Sequence, residues 1–377
     1  MKQALPALTL MLAACATPTA QRPAIESQAT DEETRTQLAM VFDRQMEMNG
    51  QLWRVSYRLS AAAAELCGPH VTGSAGIFVA TIKSFGEKLR PAALARYPAL
   101  GEVPTIVYVA AGSGAEAAGL QTNDIITAVD GQAIPPSAKS SAFYTKLVRA
   151  ASDRPIVLSV QRSGEAREVT VEPHRVCDYP VAIVDKPQIN AYADGKGIYV
   201  YRGMMDFVHS DEDLALVLGH EMAHDFRGHL EAKRKNAMVG KAVGMVFDVL
   251  LAAGTGVAGT TFSNMGGNLT AGAYSQEFEA EADYVGLYVL ARAGYRIDDA
   301  ANFWRRMAIS SPGSITMTSD HPATPERFVA LQAAVKEIGA KAAQGQPLLP
   351  NEMASSAAAT SSPASQAAAA PALVPRP

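Results

Sequence analysis

The sequence has 377 residues, which is enough for more than one domain and for sizeable hydrophobic cores. Hydrophobic residues make up 48% of the chain and charged residues 19%, a balance typical of globular protein rather than of intrinsic disorder. The formal net charge is −4 at pH 7 and the sequence contains no long basic run, so we expect no nucleic-acid partner.

The first fifteen residues, MKQALPALTLMLAAC, have the pattern of an export signal. Lys2 precedes an apolar stretch that is too short to span a bilayer. Its end, Leu12–Cys15, resembles a bacterial lipobox, which implies cleavage before Cys15, lipidation of that residue and attachment to a membrane through the lipid. Ala16, where inner-membrane lipoproteins usually carry Asp, favours the outer membrane, on its periplasmic face. The alternative is a short apolar N-terminus without lipid.

The remaining two cysteines are Cys67 and Cys177. An even pair in an oxidising compartment predicts a disulfide. It would close a loop of about 110 residues, which the chain-entropy model values at about 4–5 kcal/mol. The alternative is two buried thiols.

Residues 30–66 repeat apolar side chains at spacings of three and four, which predicts helix. Acidic residues 31–33 stand at its start, and we expect Gly50 to divide it into two helices.

Between the cysteines the sequence changes to short β runs and turns. The motif residues resemble those of a bacterial PDZ domain: Ser113, Ala117–Leu120, Asp124–Ile126 and Val129–Gly131. One departure is Asn123, where the family usually has Gly. The resemblance implies a groove that captures peptide C-termini by β-strand addition. The expected carboxylate loop consists of Gly73, Ser74, Ala75, Gly76 and Ile77. The alternative is a PDZ fold that serves only as a spacer.

The stretch GHEMAHDFRGHL lies on a predicted helix that Ser210 and Asp213 open as a capping box. His220 and His224 are four residues apart and therefore project from one face of this helix. Glu221 stands beside them, so the pattern is H-E-x-x-H: two imidazole ligands for zinc and a general base that can reach a zinc-bound water. The alternative reading makes both histidines polar residues of a buried helix.

His229 does not have the spacing of a third ligand. The metzincin pattern requires six residues from the second to the third histidine with Gly midway, whereas here the gap is five and Arg227 stands at the Gly position. On a continuing helix His229 would point about 140° away from His224. We therefore predict a helix-end cap or a packing residue, outside the site.

A better third ligand lies downstream, in YSQEFEAEADYVGLYVL. Glu279 and Asp283 are four residues apart on one face of a predicted helix. Gluzincins use such a pair: the Glu binds zinc, and the Asp hydrogen-bonds a zinc-binding histidine and fixes its orientation. Glu277 and Glu281 would point about 160° away, into solvent. The alternative is an acidic, solvated helix face.

Three ordered motifs, GHEMAH, EFEAEADYVGLYVLARAGY and SDHPATPERF, resemble the HtpX-like zinc metallopeptidases related to the CAAX prenyl proteases, and especially their soluble periplasmic lipoprotein branch. The resemblance covers about residues 178–335. It implies one Zn²⁺ held by His220, His224 and Glu279, with Glu221 as base and Asp283 in support. For His321 it leaves two roles, gating the metal or anchoring its loop. Arg327 would hold that loop or face the substrate.

We therefore expect an α+β protein: a mainly helical zincin-type metallopeptidase domain with a small β-sheet, and an inserted β-rich PDZ domain. The expected boundaries are a signal at 1–15, a tether and N-terminal helices at 16–66, the PDZ domain at 67–176, the peptidase domain at 177–341 and a disordered tail at 342–377. The apolar run 237–262 contains two charged residues, so we expect a buried or loosely membrane-facing helix rather than a membrane span.

The expected activity is hydrolysis of misfolded or unassembled envelope proteins, with the substrate extended along an edge strand near Ile198–Tyr201 and the PDZ domain in recruitment or gating. The alternative is a periplasmic chaperone or assembly factor with little proteolysis. A pure scaffold would require a degenerate zinc site, and this motif is intact.

Overall fold

The computed structural model describes residues 20, 23–137, 139–255, 275–310 and 324–352. A mainly helical region is formed by the parts of the chain on either side of the two cysteines, and a β-rich region is inserted between them. This arrangement confirms the predicted α+β class.

The inserted region is built on one antiparallel sheet with the strand order β2-β3-β4-β6-β7, with β5 paired to β4. Ile106, Ile126, Ile156 and Leu158 fill its core. Its elements are β1 (Val71–Ser74), β2 (Ile77–Ala80), α2 (Arg90–Arg96), β3 (Thr105–Val109), α3 (Gly114–Ala117), β4 (Ile125–Val129), β5 (Gln132–Ala133), α4 (Ser140–Ala150), β6 (Ile156–Arg162), β7 (Glu165–Val171) and β8 (His174–Cys177), with short 3-10 turns at Ile82–Ser84 and Glu87–Leu89.

The helical region surrounds a small three-stranded sheet. Its elements are α1 (Ser27–Ala62), β9 (Val181–Val184), β10 (Ala191–Ala193), β11 (Ile198–Tyr201), α5 (Arg202–Phe207), α6 (Asp211–Phe226), α7 (His229–Thr255), α8 (Ser275–Arg292), α9 (Ala300–Ser310) and α10 (Pro325–Ala343).

The long N-terminal helix α1 is continuous, so the predicted break at Gly50 is wrong. A glycine in a helix interior costs about 1 kcal/mol relative to alanine. The burial of Leu52, Val55 and Leu59 in the main core outweighs this cost. Tertiary packing therefore keeps α1 helical at Gly50, although glycine has a low intrinsic helix propensity.

The first and last strands of the inserted region, β1 and β8, lie side by side. Strand β1 enters it and β8 leaves it, and the two pair antiparallel with Val71 opposite Cys177. Cys67 and Cys177 form a disulfide with 5.8 Å between their Cα atoms. The ribbon and the disulfide together close the insertion where it meets the helical region.

The small sheet has the strand order β10-β11-β9, so β11 is its central strand. We expected Ile198–Tyr201 to be an edge strand, and this is wrong, because β11 pairs antiparallel with β10 and parallel with β9. Strand order depends on distant parts of the chain, and an alternating strand pattern does not reveal it. Among the described residues, β10 presents an edge next to α6.

Helices α6 and α8 approach each other through two glycines. A Cβ atom on Gly286 would lie 3.0 Å from the carbonyl carbon of Gly219 and 3.1 Å from the nitrogen of His220. A Cβ atom on Gly219 would lie 2.5 Å from Leu290 Cδ1. The two backbones therefore touch where the histidines begin, and no larger residue fits at Gly286 without moving a helix.

Helix α7 covers the described part of the predicted apolar excursion. Several large side chains on it are exposed, so that face is not buried within the described structure: Met238, Val239, Val243, Met245, Val246 and Val249. None of the described helices is long and apolar enough to cross a membrane. Residues 256–262 of the predicted excursion lie outside the described residues.

The segment after α10 packs against the helical region as far as Glu352, past the predicted start of the tail at residue 342. Lys341 Nζ donates to the carbonyl of Leu349, and Arg227 pairs with Glu352 at 2.8 Å. The remainder of the predicted tail, 353–377, lies outside the described residues.

We expect Gly286→Ala to lower the free energy of unfolding by about 1–3 kcal/mol, because the new methyl group meets backbone atoms of α6 that cannot rotate away. Gly50→Ala is the matched control. It also adds a methyl group to a helix, but it meets nothing within 4 Å and should stabilise the protein by about 0.5–1 kcal/mol. Denaturant unfolding of both variants measures the difference, and equal stability of the two would contradict the close helix contact.

Candidate metal centre

Helix α6 presents the two histidines of the H-E-x-x-H motif. Ser210 Oγ accepts the backbone N–H of Asp213, and the Asp213 carboxylate accepts the N–H of His209 rather than that of Ser210, which makes a variant of the predicted capping box. The ring nitrogens His220 Nε2 and His224 Nε2 lie 3.1 Å apart, and His220 is only 2% exposed. The motif therefore places two imidazole nitrogens together in the interior.

Helix α8 brings a carboxylate to the same point. Glu279 Oε2 lies 3.3 Å from His220 Nε2, and Glu279 Oε1 lies 3.4 Å from His224 Nε2. These three residues form a group whose ligand atoms are close enough to hold one metal ion. Zinc bonds of about 2.0–2.1 Å in a tetrahedron require ligand atoms about 3.3 Å apart. The donor set and its spacing therefore fit zinc, with one coordination position left for water or substrate.

Asp283, one turn after Glu279, contacts His220 at Nδ1, the ring nitrogen that does not face Glu279. Its Oδ1 lies 2.9 Å from His220 Nδ1, and Arg327 donates to both carboxylate oxygens at 2.6 and 2.8 Å. Burial acts to raise the pKa of Asp283, but Arg327 and His220 outweigh it and hold the pKa at about 2. Asp283 is therefore ionised and accepts the Nδ1 proton of His220, so Nε2 is the ring nitrogen that faces His224 and Glu279.

The two histidines have different electrostatic surroundings. Burial lowers the pKa of His224 to about 4, so this ring is neutral and can offer a lone pair. For His220 burial also acts to lower the pKa, but the hydrogen bonds to Asp283 and Glu279 outweigh it and raise the pKa to about 9. A bound cation therefore has to displace a proton at His220.

Glu221 follows His220 on α6 and is 3% exposed. Beside the site, a cavity of about 430 Å³ opens between α8 and α10. Glu279, Asp283, Thr324 and Arg327 are among its lining residues. The arrangement thus combines a buried carboxylate, a three-ligand metal site and space for a side chain of another molecule.

His229 does not point away from the site, so its prediction as an outside residue is wrong. Helix α6 ends at Phe226, and Gly228 adopts a positive φ of 68°, which turns the chain before α7 begins. The His229 ring comes back to His224, with 2.9 Å between their Nδ1 atoms. The expectation of a continuing helix failed because the glycine ends it.

Glu281 is half-buried rather than solvent-facing as predicted. Its Oε2 lies 3.2 Å from His229 Nε2, and its side chain is 43% exposed. Glu277, on the same helix, is exposed as predicted. No local pattern in the sequence predicts the Glu281 contact, because its partner His229 is on α7.

Arg327 lies inside the protein with its guanidinium on Asp283 and over the ring of Trp304, 3.9 Å from the centroid. This buried ion pair is its contact within the described structure, and the predicted contact with the loop or the substrate stays a prediction. The predicted loop residue His321 and the predicted lipidation site Cys15 lie outside the described residues.

The predicted carboxylate loop of the insertion is shorter than expected. Gly73 and Ser74 belong to β1, and Ile77 opens β2, so only Ala75 and Gly76 lie between the strands. The Gly76 N–H donates to Ser74 Oγ, and the Gly76 carbonyl accepts from Ala110. Among the described residues β2 is the terminal strand of its sheet, and a sheet edge is the place where PDZ domains add a peptide strand.

Residues 158–335 match peptidase family M48, and residues 79–172 match the PDZ domain. Residues 158–335 therefore form a peptidase domain of family M48. The inserted region is a PDZ domain, as the sequence predicted, and the predicted metallopeptidase family is confirmed for the helical region. Membership of the lipoprotein branch stays a prediction.

Several curated relatives are similar to the helical region. The mitochondrial metalloendopeptidase OMA1 of Saccharomyces cerevisiae is 29% identical over 52% of this chain and 54% of its own length. Metalloprotease LoiP of Escherichia coli is 33% identical over 37% of this chain and 56% of its own. The beta-barrel assembly-enhancing protease of Yersinia pestis is 28% identical over 39% of this chain and 32% of its own. The chain thus spans about half the length of the first two relatives and a third of the other.

Two further residues near the site had no sequence signal. Trp304 stacks on Arg327 and lies edge-on to His220, with 5.5 Å between ring centroids. Asp225 accepts the N–H of Gly195 at 2.8 Å, which ties the β10–β11 turn to α6, and burial raises the pKa of this carboxyl to about 7. Both act through contacts between segments far apart in sequence.

We expect Arg327→Leu to lower the free energy of unfolding of the zinc-free protein by about 3–5 kcal/mol, because it leaves the Asp283 carboxylate buried without its cation. Arg202→Leu is the control, since it removes an exposed arginine that pairs with Asp185 and should cost less than about 1 kcal/mol. The double variant Asp283→Asn with Arg327→Leu should lose less than Arg327→Leu alone. Strictly additive losses in denaturant unfolding would contradict the buried pair.

Proposed function

We propose that the protein is a zinc-dependent endopeptidase. The observation that supports this most directly is the triangle formed by His220 Nε2, His224 Nε2 and the Glu279 carboxylate, with sides of 3.1 to 3.4 Å. Three protein ligands and an open fourth position characterise catalytic rather than structural zinc sites. The family match supports a metal centre of this kind.

Glu221 acts as the general base of the proposed reaction. When bound, zinc polarises the scissile carbonyl and lowers the pKa of water towards about 7. The Glu221 carboxylate takes a proton from the attacking water and passes it to the leaving amine. Its burial next to His220 keeps the proton transfer away from bulk solvent. Asp283 holds the His220 ring throughout, because its own charge is fixed by Arg327.

The substrate binds in an extended conformation along the edge of β10, replacing the predicted position on β11. Tyr192 on β10 is 38% exposed and stacks on Tyr199 of β11, with 5.1 Å between ring centroids. Main-chain hydrogen bonds to this edge hold a peptide without selecting its sequence. One substrate side chain enters the cavity between α8 and α10.

The substrates we propose are misfolded or unassembled proteins of the bacterial envelope. The lipobox-like N-terminus supports attachment through a lipid on Cys15 at the periplasmic face of the outer membrane. The Cys67–Cys177 disulfide fits an oxidising compartment. The Yersinia pestis relative is named for beta-barrel assembly, which points to the same class of substrate.

A second candidate function is a chaperone or assembly factor that cuts little. The words "assembly-enhancing" in the name of the Yersinia pestis relative favour it, and a PDZ domain can hold an unfolded chain without cutting it. Under this function Glu221→Gln would retain full biological activity, whereas under the endopeptidase function the substitution abolishes it.

The first experiment is cleavage of casein by the lipid-free protein, residues 16–377, loaded with zinc. We expect Glu221→Gln to lower the rate by about 10²–10⁴-fold, because it removes the general base. Glu212→Gln, a carboxylate of the first turn of the same helix, is the control and should cleave at the wild-type rate. A zinc-loaded wild-type protein that cuts nothing would favour the chaperone function instead.

The PDZ domain recruits substrates through their free C-termini to the edge of β2. We expect a peptide substrate with a C-terminal amide to have a KM about 10-fold higher than the same peptide with a free carboxylate, because the amide loses a charge-assisted hydrogen bond. The kcat should be the same for both, since the end of the peptide is remote from the cut. Equal KM values would assign the domain a spacer role.

A further inference from the structure

The imidazole of His229 lies between a proposed zinc ligand and a carboxylate. Its Nδ1 is 2.9 Å from His224 Nδ1, and its Nε2 is 3.2 Å from Glu281 Oε2. The ring is 2% exposed, so water does not compete for either nitrogen. Each of its two hydrogen-bonding atoms therefore has a defined protein partner.

The chemistry of these partners fixes the positions of the protons. An ionised carboxylate only accepts hydrogen bonds, so His229 Nε2 carries a hydrogen and donates it to Glu281. In a neutral imidazole the other nitrogen is then an acceptor. His229 Nδ1 thus accepts from His224, and His224 carries its hydrogen on Nδ1. The lone pair of His224 is left on Nε2, the atom that lies 3.1 Å from His220 Nε2.

His224, His229 and Glu281 form a hydrogen-bonded relay, and three further features of the structure hold it in place. Gly228 turns the chain so that His229 starts α7 rather than extending α6. The His229 ring stacks on Phe278, with 4.7 Å between centroids and 18° between planes, and Phe278 directly precedes Glu279. Arg227 Nε lies 3.6 Å from Glu281 Oε1 and holds that carboxylate on the side remote from His229 Nε2, which faces Oε2.

We propose that His229 and Glu281 are positioning residues that hold His224 as its Nδ1–H tautomer, with Nε2 directed at the metal. This inference rests on the zinc site proposed above. It gives each of the two histidine ligands its own support. His220 is held directly by Asp283, whereas His224 is held through a second imidazole by Glu281.

His229 is not a fourth metal ligand in this arrangement. Its Nδ1 contacts the Nδ1 atom of His224, which lies on the opposite side of that ring from Nε2. The group of described residues with ligand atoms close enough to hold one ion consists of His220, His224 and Glu279. The hydrogen-bonding function therefore accounts for both nitrogens of His229.

The test compares His229→Phe with His229→Asn by competition for zinc against a chromophoric chelator. His229→Phe keeps an aromatic ring on Phe278 but removes the acceptor, so we expect the zinc Kd to rise about 10–100-fold. His229→Asn places an amide oxygen near the position of Nδ1, and we expect it to restore the Kd to within about 3-fold of wild type. Glu281→Ala, on the half-exposed side of the relay, should weaken zinc binding about 10-fold.

Glu277→Gln is the matched control, because it removes an exposed carboxylate from the same helix without touching His229. Cobalt-substituted protein supplies a spectroscopic readout: the visible absorption bands of His229→Phe should shift from those of wild type, and those of His229→Asn should not. Circular dichroism of the zinc-free variants checks that each has folded.

The two proposals fail in different ways. If wild-type protein binds no zinc, the proposed function is wrong. If wild type binds zinc and both His229→Phe and Glu281→Ala bind it equally well with unchanged cobalt spectra, the zinc site stands and the relay is wrong. If His229→Phe does not fold, the Glu281→Ala measurement decides alone.

Discussion

The site depends on the contact between Gly219 on α6 and Gly286 on α8. Because neither residue has a side chain, the two helix backbones touch at the turn where the histidines begin. His224 lies more than one turn after Gly219 on α6, and Glu279 lies two turns before Gly286 on α8. Their side chains meet, with 3.4 Å between His224 Nε2 and Glu279 Oε1. A methyl group at the crossing would separate the helices by tenths of an ångström, which is a large error for a site whose metal–ligand bonds vary by about 0.2 Å.

Two chains of hydrogen bonds lead outward from this crossing, and they differ in how they are buried. The chain through His220 ends at the buried Asp283–Arg327 pair, and the Arg327 guanidinium lies over the Trp304 ring. The chain through His224 ends at Glu281, whose side chain is 43% exposed. A buried pair is costly to break, whereas a half-exposed carboxylate can be changed with little effect on folding. The side chains behind His220 and His224 thus differ in burial and in the energy that their removal would cost.

The sequence predicted the parts of the site that depend on helical periodicity. His220 with His224 and Glu279 with Asp283 are pairs four residues apart, and a helix brings such pairs to one face. The prediction for His229 is wrong because helical periodicity does not continue past Gly228, where the helix has ended. The position of β11 in its sheet and the contact of Glu281 with α7 involve segments distant in sequence. No local pattern specifies them, because each depends on the packing of the whole domain.

Helix α1 connects the PDZ domain to the helical region. This helix precedes the PDZ domain in sequence, yet Leu52 and Leu59 belong to the core that contains α6. Its neighbouring residues Trp53 and Arg54 contact different domains. Trp53 stacks on Phe78 of β2 with 4.8 Å between ring centroids, and Arg54 pairs with Asp211 at the first residue of α6. Strand β2 of the PDZ domain and helix α6, which carries the histidines, are therefore both contacted by adjacent side chains of one helix.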